Sequence, residues 1–315
     1  MPALPKIIFA LALALSFTGL LSPPIALTAG ILFGLSFPHP YINESRGIAR
    51  TLLQSSVVAL GFGMNLHEVL KVGRSGFIHT ALGISFALLV GLALGKLLRV
   101  RGNSSFLITT GTAICGGSAI AAIGPILQAD EEEMAVSLGT IFILNSVALL
   151  IFPPIGNALH LSQSQFGLWV ALAIHDTSSV VGAATKYGPQ ALVIGTTVKL
   201  ARALWIVPVS LLAAAYMARS GDSYKQAKVK VPWFIFLFCL AAAAATYLPR
   251  FAAQYGTLSH LGKAGLTATL FLIGTSLSKK TLQQVGVRPF VQGISLWVIV
   301  AGASLAAIYF NYISI

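Results

Sequence analysis

The sequence predicts an all-α polytopic membrane protein of about eleven transmembrane helices, with inverted repeats and two discontinuous crossing helices. Three observations carry the fold class. Of 315 residues, 56% are hydrophobic and only 9% charged, against roughly 25% charged in a soluble domain. The mean hydropathy is +0.86. Apolar windows close to the roughly 20 residues that span a bilayer recur along the whole chain, separated by charged or Pro/Gly punctuation. Disorder, collagen-like structure and a soluble enzyme with a wet surface are excluded.

The windows fall near 5–21, 23–38, 51–67, 75–98, 104–128, 134–157, 165–185, 190–218, 232–248, 258–278 and 289–312. They make one transmembrane domain, 1–315, because no window reads as a soluble module. Residues 7–21 could pass for a signal-peptide core behind Lys6, but Pro23-Pro24 lead straight into another apolar run, so a retained first span is the better reading. Gly30/Gly34 and Gly91/Gly95 are GxxxG pairs, which bring helices close and permit a homodimer. Pro153-Pro154 and Pro208 mark span ends or kinks. The longest polar stretch is 219–231.

The basic residues sit in short loops, where they set topology, and form no nucleic-acid footprint. With the amino terminus inside, Arg46/Arg50, Lys96/Arg99/Arg101, Arg219/Lys225/Lys228/Lys230 and Lys279/Lys280/Arg288 all fall inside. The acidic turn Asp130–Glu133 falls outside, with Lys186 and Arg250; a solvated turn is its simplest role. Lys71 and Arg74 are an exception that Glu68 partly offsets. An internal echo links "ALGFGMNLHEVLKVGRSGF" (59–77) to "LIGTSLSKKTLQQVGVRPF" (272–290), one copy turning outside and the other inside, as an inverted repeat requires.

Two spans are interrupted. In "GTAICGGSAIAAIGP" (111–125), Gly116-Gly117 lie near the middle, flanked by Thr112, Cys115 and Ser118. Each glycine weakens a helix by about 1 kcal/mol relative to Ala. In "AIHDTSSVVGA" (173–183), His175, Asp176, Thr177, Ser178 and Ser179 form a polar run inside an apolar span. Such residues at membrane depth are costly unless paired or hydrated. Broken helices meeting at the midplane would offer free N–H groups to an anion and free carbonyls to a coupling ion. Against this, Gly-Gly-Ser serves equally as a packing notch, and the hydroxyls can bond their own i−4 carbonyls. Asn145 caps a broken backbone, reaches the site or acts as interhelical glue, and His79, nearer a span end, reads as structural.

Lys199 and Arg202 lie deep in the 190–218 window, i and i+3 on one helix face. Each costs about 2.5–3.5 kcal/mol to insert unless compensated. Asp176 is the one intramembrane acid available, so a positive excess remains. An anionic substrate would neutralise it; alternatively one cation pairs with Asp176 and the other faces a wet vestibule.

Enzyme signatures are missing: no HExxH, GxSxG or Walker loop. Cys115 and Cys239 lie inside apolar runs and build neither a disulfide framework nor a metal site.

"GTAICGGSAIAAIGPIL" followed by "EEEMAVSLGTIFILNSVALLIFPPIG", and "FGLWVALAIHDTSSVVGAA" followed by "TVKLARALWIVP", resemble the bacterial YeiH-type family, whose members bear the name sulfate exporter. The resemblance covers essentially the whole chain. More distantly, "GGSAIAAIGP…AVSLGT" is similar to the broken-helix motif of bile-acid/sodium symporters and the cation/proton antiporter superfamily. That resemblance implies two inverted five-helix repeats, a crossing pair of discontinuous helices and elevator-type alternating access. It places Thr112, Cys115, Gly116, Gly117 and Ser118 on one crossing helix and His175, Asp176, Thr177, Ser178 and Ser179 on the other. The span count runs both interrupted helices in one direction, whereas inverted repeats need opposite directions. A miscounted span, such as a re-entrant hairpin around 150–185, or a permuted fold would reconcile the two.

The resulting expectation is a secondary transporter of a small inorganic or sulfonate-type anion across the bacterial inner membrane. Lys199, Arg202 and the amides near Gly116, Gly117 and Ser118 would bind the substrate with Thr112, Cys115 and Thr177–Ser179. Asp176, with His175 and Asn145, would couple transport to H+ or Na+, with no other cofactor and no metal. The alternatives are a cation/proton antiporter using Asp176, and a non-transporting membrane sensor or enzyme.

Overall fold

The computed structural model describes residues 3–100, 102–219, 232–277 and 285–315. Among them there are helices and no strand. In chain order these are α1 (Ala3–Phe17), α2 (Pro23–Ser36), α3 (Ile42–Gly61), α4 (Leu66–Leu97), α5 (Ser104–Ala113), α6 (Gly117–Ile123), α7 (Glu131–Ala158), α8 (Gln163–Ala173), α9 (Thr177–Tyr187), α10 (Pro189–Ala203), α11 (Ile206–Arg219), α12 (Phe234–Tyr247), α13 (Ala252–Thr275) and α14 (Val287–Tyr309). Four helical stretches are long and apolar enough to cross a membrane: α4, α7, α10 continued into α11, and α14. The pair α12 and α13, bent by 98° at Pro249, makes a fifth if it counts as one span. These stretches do not confirm the expected count of about eleven.

α1 and α2, of 15 and 14 residues, are shorter than a span, α12 and α13 make at most one, and the two interrupted windows are a further reason. Residues 104–128 and 165–185 are not through-going spans but helical hairpins. In the first, Asn103 at the start of α5 donates from its side-chain amide to the Leu127 carbonyl at 3.2 Å and to Glu133 at 3.1 Å. A Cβ placed on Gly111 would sit 3.0 Å from Ile120, so α5 and α6 run back along each other. In the second, the Tyr187 hydroxyl donates to the Leu161 carbonyl at 2.7 Å, and the Tyr187 ring stacks on Phe166. The Gln190 amide donates to the Gln163 side chain at 2.9 Å. Helices of ten or eleven residues are about 15–16 Å long, half the thickness of a bilayer core.

The first hairpin starts at a near end of the bundle, where Arg99, Gly102, Asp130, Glu133 and Arg288 share one groove. α7 then carries the chain to the far end, and the second hairpin starts from there. The hairpins thus point at each other, and they enter from opposite ends. This corrects the topology. The acidic turn Asp130–Glu133 lies at the same end as Arg99, not across from it. The reason for the acids is local: Asp130 accepts from the Glu133 amide at 2.7 Å, and Glu133 accepts from the Asp130 amide at 3.1 Å. This capping box, with Glu131 and Glu132 in the first turn, suits the positive end of α7. Arg101, Lys225, Lys228, Lys230, Lys279 and Lys280 lie outside the described residues.

The remaining helices form the wall that the hairpins face. α13 packs between α2 and α3 at very close range. A Cβ on Gly274 would meet the Leu27 carbonyl oxygen at 2.5 Å, so only glycine permits this crossing. Of the two echoed segments, 62–65 lies beside Thr246 and Tyr255 at the far end, and Gly286 lines the near-end groove; the turn of the second copy, 278–284, lies outside the described residues.

Candidate functional site

The hairpin tips, residues 114–116 and 174–176, meet in the middle of the helical layer. Gly116 has φ +67°, a left-handed conformation that disfavours a side chain. A Cβ there would also approach Ile141 at 3.2 Å and the His175 side chain at 3.4 Å. The second tip is shaped by Asp176, the N-cap of α9. Its oxygens accept from the Ser178 and Ser179 amides, both at 3.2 Å, from the Ser179 hydroxyl at 3.1 Å, and from the Ser178 hydroxyl. Asn145, in the middle of α7, holds the same tip: its side-chain oxygen accepts from the His175 and Asp176 amides at 3.1 and 3.2 Å. Of the roles open to Asn145, this contact is the capping one.

Each hairpin arrives at its tip by a helix C-terminus, and a C-terminus leaves carbonyls without intrahelical partners. Lys199 and Arg202 supply the missing donors. Lys199, fully buried, donates from Nζ to the Ile114 carbonyl at 3.2 Å and the Ile174 carbonyl at 2.6 Å, one from each tip. Arg202, 1% exposed, donates from Nε to Ala113 at 2.7 Å and from its other nitrogens to Thr112 at 3.2 Å, Ala171 at 3.4 Å and Leu172. The i, i+3 spacing thus lets one helix fasten both hairpins. These donors go to backbone carbonyls and not to Asp176, so the expected cation–Asp176 pair is not formed.

Beside the tips lies a cavity of about 610 Å³. Its floor is Cys115, Gly117, Ser118 and Asp176, and its mouth, at the near end, carries Arg50, Asp130 and Glu131. The sequence-predicted residues therefore divide. Cys115, Gly117, Ser118 and Asp176 face the cavity. Lys199 and Arg202, expected to touch substrate, are sealed behind the tips because the helix-end carbonyls claim them. Thr112 and Thr177–Ser179 are buried and absent from the cavity lining. His175 is 1% exposed, its ring tilted against Trp297, and neither ring nitrogen has a partner among the described residues.

Sequence reasoning missed the α14 residues that grip the hairpins. Gln292 donates from its amide to the Gly91 carbonyl at 3.0 Å and to Ser105 and Thr109 on α5. Trp297 donates to the Ala173 carbonyl at the second tip at 3.1 Å. A polar Gln inside the 289–312 window was the available signal.

Paired helical hairpins closing on two buried cations, in a chain of long apolar helices, define a helical membrane protein organised around interrupted backbone. The chain belongs to the family described as conserved hypothetical protein 698, whose model matches residues 5–293. It is 48% identical to the UPF0324 membrane protein of Bdellovibrio bacteriovorus over 98% of this chain and 95% of that one. It is equally identical to UPF0324 membrane proteins of Bacteroides thetaiotaomicron (92% and 87% covered) and Geobacter sulfurreducens (95% and 95% covered). No solved structure matches.

Proposed function

We propose that this protein is a secondary transporter of a small anion, sulfate or a sulfonate, across the bacterial inner membrane. The observation that carries the reading is the pair of buried cations held behind the meeting point of two hairpin tips, with one carboxylate, Asp176, on the floor of a cavity that ends at those tips. Lys199 and Arg202 act through their field and not by contact. They neutralise the helix ends and leave the tips positive. Asp176, with His175 and Asn145 at the same tip, is the coupling group for H+ or Na+.

On this reading the two hairpins, entering from opposite ends, belong to the two halves of an inverted repeat, and the chain is multi-pass. The excess of Lys and Arg at the near end makes that end cytoplasmic, so the cavity faces the cytoplasm. Gly30, Gly34, Gly91 and Gly95 pack against helices of this same chain, so a homodimer would use another surface.

A second reading is favoured by Asp176 itself: a carboxylate exposed to a cavity suits a cation/proton antiporter. Purified protein in proteoliposomes, offered sulfate, sulfite, short alkanesulfonates, sodium and protons, separates the two. Anion flux that survives Asp176→Asn but loses its dependence on an ion gradient supports the first reading. Sodium or proton flux abolished by Asp176→Asn, with no anion flux in the native protein, supports the second. Movement of none of these solutes overturns both and favours a sensor or enzyme.

A further inference from the structure

The cavity wall is chemically different from its two ends. Along α7 the lining residues after Glu131 are Met134, Ala135, Leu138, Gly139 and Phe142. This is one helical stripe, and it climbs about 16 Å from mouth to floor. Leu53 of α3 and Ile273 of α13 are the large apolar side chains of the rest of the lining, with Ala49, Ala121 and Ala129 beside them. Phe142 and Leu138 reach the floor itself, since a Cβ on Gly117 would lie 3.3 Å from each. The polar groups are confined to the floor, the mouth and Ser276 on α13.

A bare oxyanion has no use for such a wall. Its hydration shell gains nothing from Leu, Met and Phe side chains, and a water-filled apolar groove is itself unfavourable. Concave sites of about 300–1,000 Å³ with apolar walls and a few placed polar groups are the form that organic ligands select. At about 610 Å³, this cavity holds roughly twenty waters' worth of volume.

We infer that the solute taken up from this cavity is an organic anion with an apolar body: an acid head directed to the positive tips and an alkyl or aryl portion against Leu138, Phe142 and Ile273. The inference deepens the anion-transport reading and rests on it. The α7 stripe then sets specificity by body size, and inorganic sulfate is a poor ligand.

The test is binding to the full chain in lipid nanodiscs, with n-alkanesulfonates of one to six carbons, sodium sulfate and the matching n-alkylammonium series. Affinity is expected to rise about fourfold per methylene over the first several carbons, with sulfate weaker than every member beyond the shortest. Phe142→Ala is expected to flatten that rise by weakening hexanesulfonate far more than methanesulfonate; Leu138→Gln provides the same readout should Phe142→Ala fold poorly. Sulfate binding as tightly as hexanesulfonate, or a rise that persists in both variants, overturns the inference. An equal rise with alkylammonium heads leaves the apolar-body inference standing and overturns the anion reading instead.

Discussion

Arg202 offers the sharpest test of how the site is built, because charge and hydrogen bonding can be separated there. Its guanidinium donates to four backbone carbonyls, two on each hairpin. Arg202→Leu removes every donor at a fully enclosed position. An orphaned buried carbonyl costs about 1–3 kcal/mol, so four cost about 4–12 kcal/mol. Relief from burying a charge offsets part of this. The remainder is comparable to the 5–15 kcal/mol that holds a typical domain folded. Arg202→Lys keeps the charge but replaces a planar fork by one compact ammonium, which reaches fewer of the four carbonyls. It should cost about 1–3 kcal/mol for each carbonyl it abandons. The assay is thermal unfolding of the detergent-purified protein, followed by fluorescence size exclusion. The expected order is native, then Lys, then Leu, with the Leu variant failing to give a monodisperse peak. A Leu variant that melts with the native protein would show that the carbonyls do not depend on Arg202, and the capping argument would fail. A Lys variant as damaged as the Leu one would show that fork geometry, not charge, is all that matters.

Three further outcomes follow from single contacts. Asn145→Leu strands the His175 and Asp176 amides at about 1–3 kcal/mol each, whereas Asn145→Asp keeps the acceptor; unfolding midpoints should therefore place the Asp variant well above the Leu variant, and equal midpoints would contradict the tethering role. Glu133→Ala frees Asn103, whose amide it accepts at 2.6 Å, at a cost of about 2–3 kcal/mol for charge-assisted bonds; limited proteolysis should then cut near 102–104 or 128–130, and an unchanged digest would show that the hairpin base is closed by other contacts. Gly117→Leu pushes a side chain between Leu138 and Phe142 on the cavity floor, so solute flux should be lost while the elution profile stays native. Retained flux in that variant would move the permeation path elsewhere.

The fold class was legible from composition and run length, because lipid admits only helices and closed barrels, and apolar runs of about 20 residues point to helices. The positions of the two breaks were also legible, since Gly116-Gly117 and the His175–Ser179 run are costly inside a continuous helix. What did not show was that the chain turns back at each break. An apolar run of 25 residues reads the same whether it crosses or returns, because both arms face other helices. The returning geometry is set by long-range pairs such as Asn103 with Glu133 and Tyr187 with Leu161, separated by 30 and 26 residues. The acidic turn misled for a related reason: Asp130 and Glu133 are there to cap α7, and their charge says nothing of the side they occupy. Lys199 and Arg202 were rightly placed deep in the bundle, but their partners are carbonyls, which every residue carries and no pattern marks.

That choice of partner changes the electrostatic argument. Taken as free charges, Lys199 and Arg202 against Asp176 leave a surplus of one positive charge. Helix ends, however, behave as about half a charge each. The C-termini of α5 and α8 therefore cancel about one of the two cations, and the N-termini of α6 and α9 return about one positive charge on the other arm of each tip. The net at the tips stays near one elementary charge, positive in sign, but it is divided between backbone and side chains. That division is adjustable by moving one hairpin against the other. Lengthening the Lys199–Ile174 contact, now 2.6 Å, strips one cation of part of its compensation and strengthens the pull on an anion; shortening it weakens that pull. On the transport reading, alternation between binding and release thus needs no change of protonation at Lys199 or Arg202, only a shift in how closely the tips approach them.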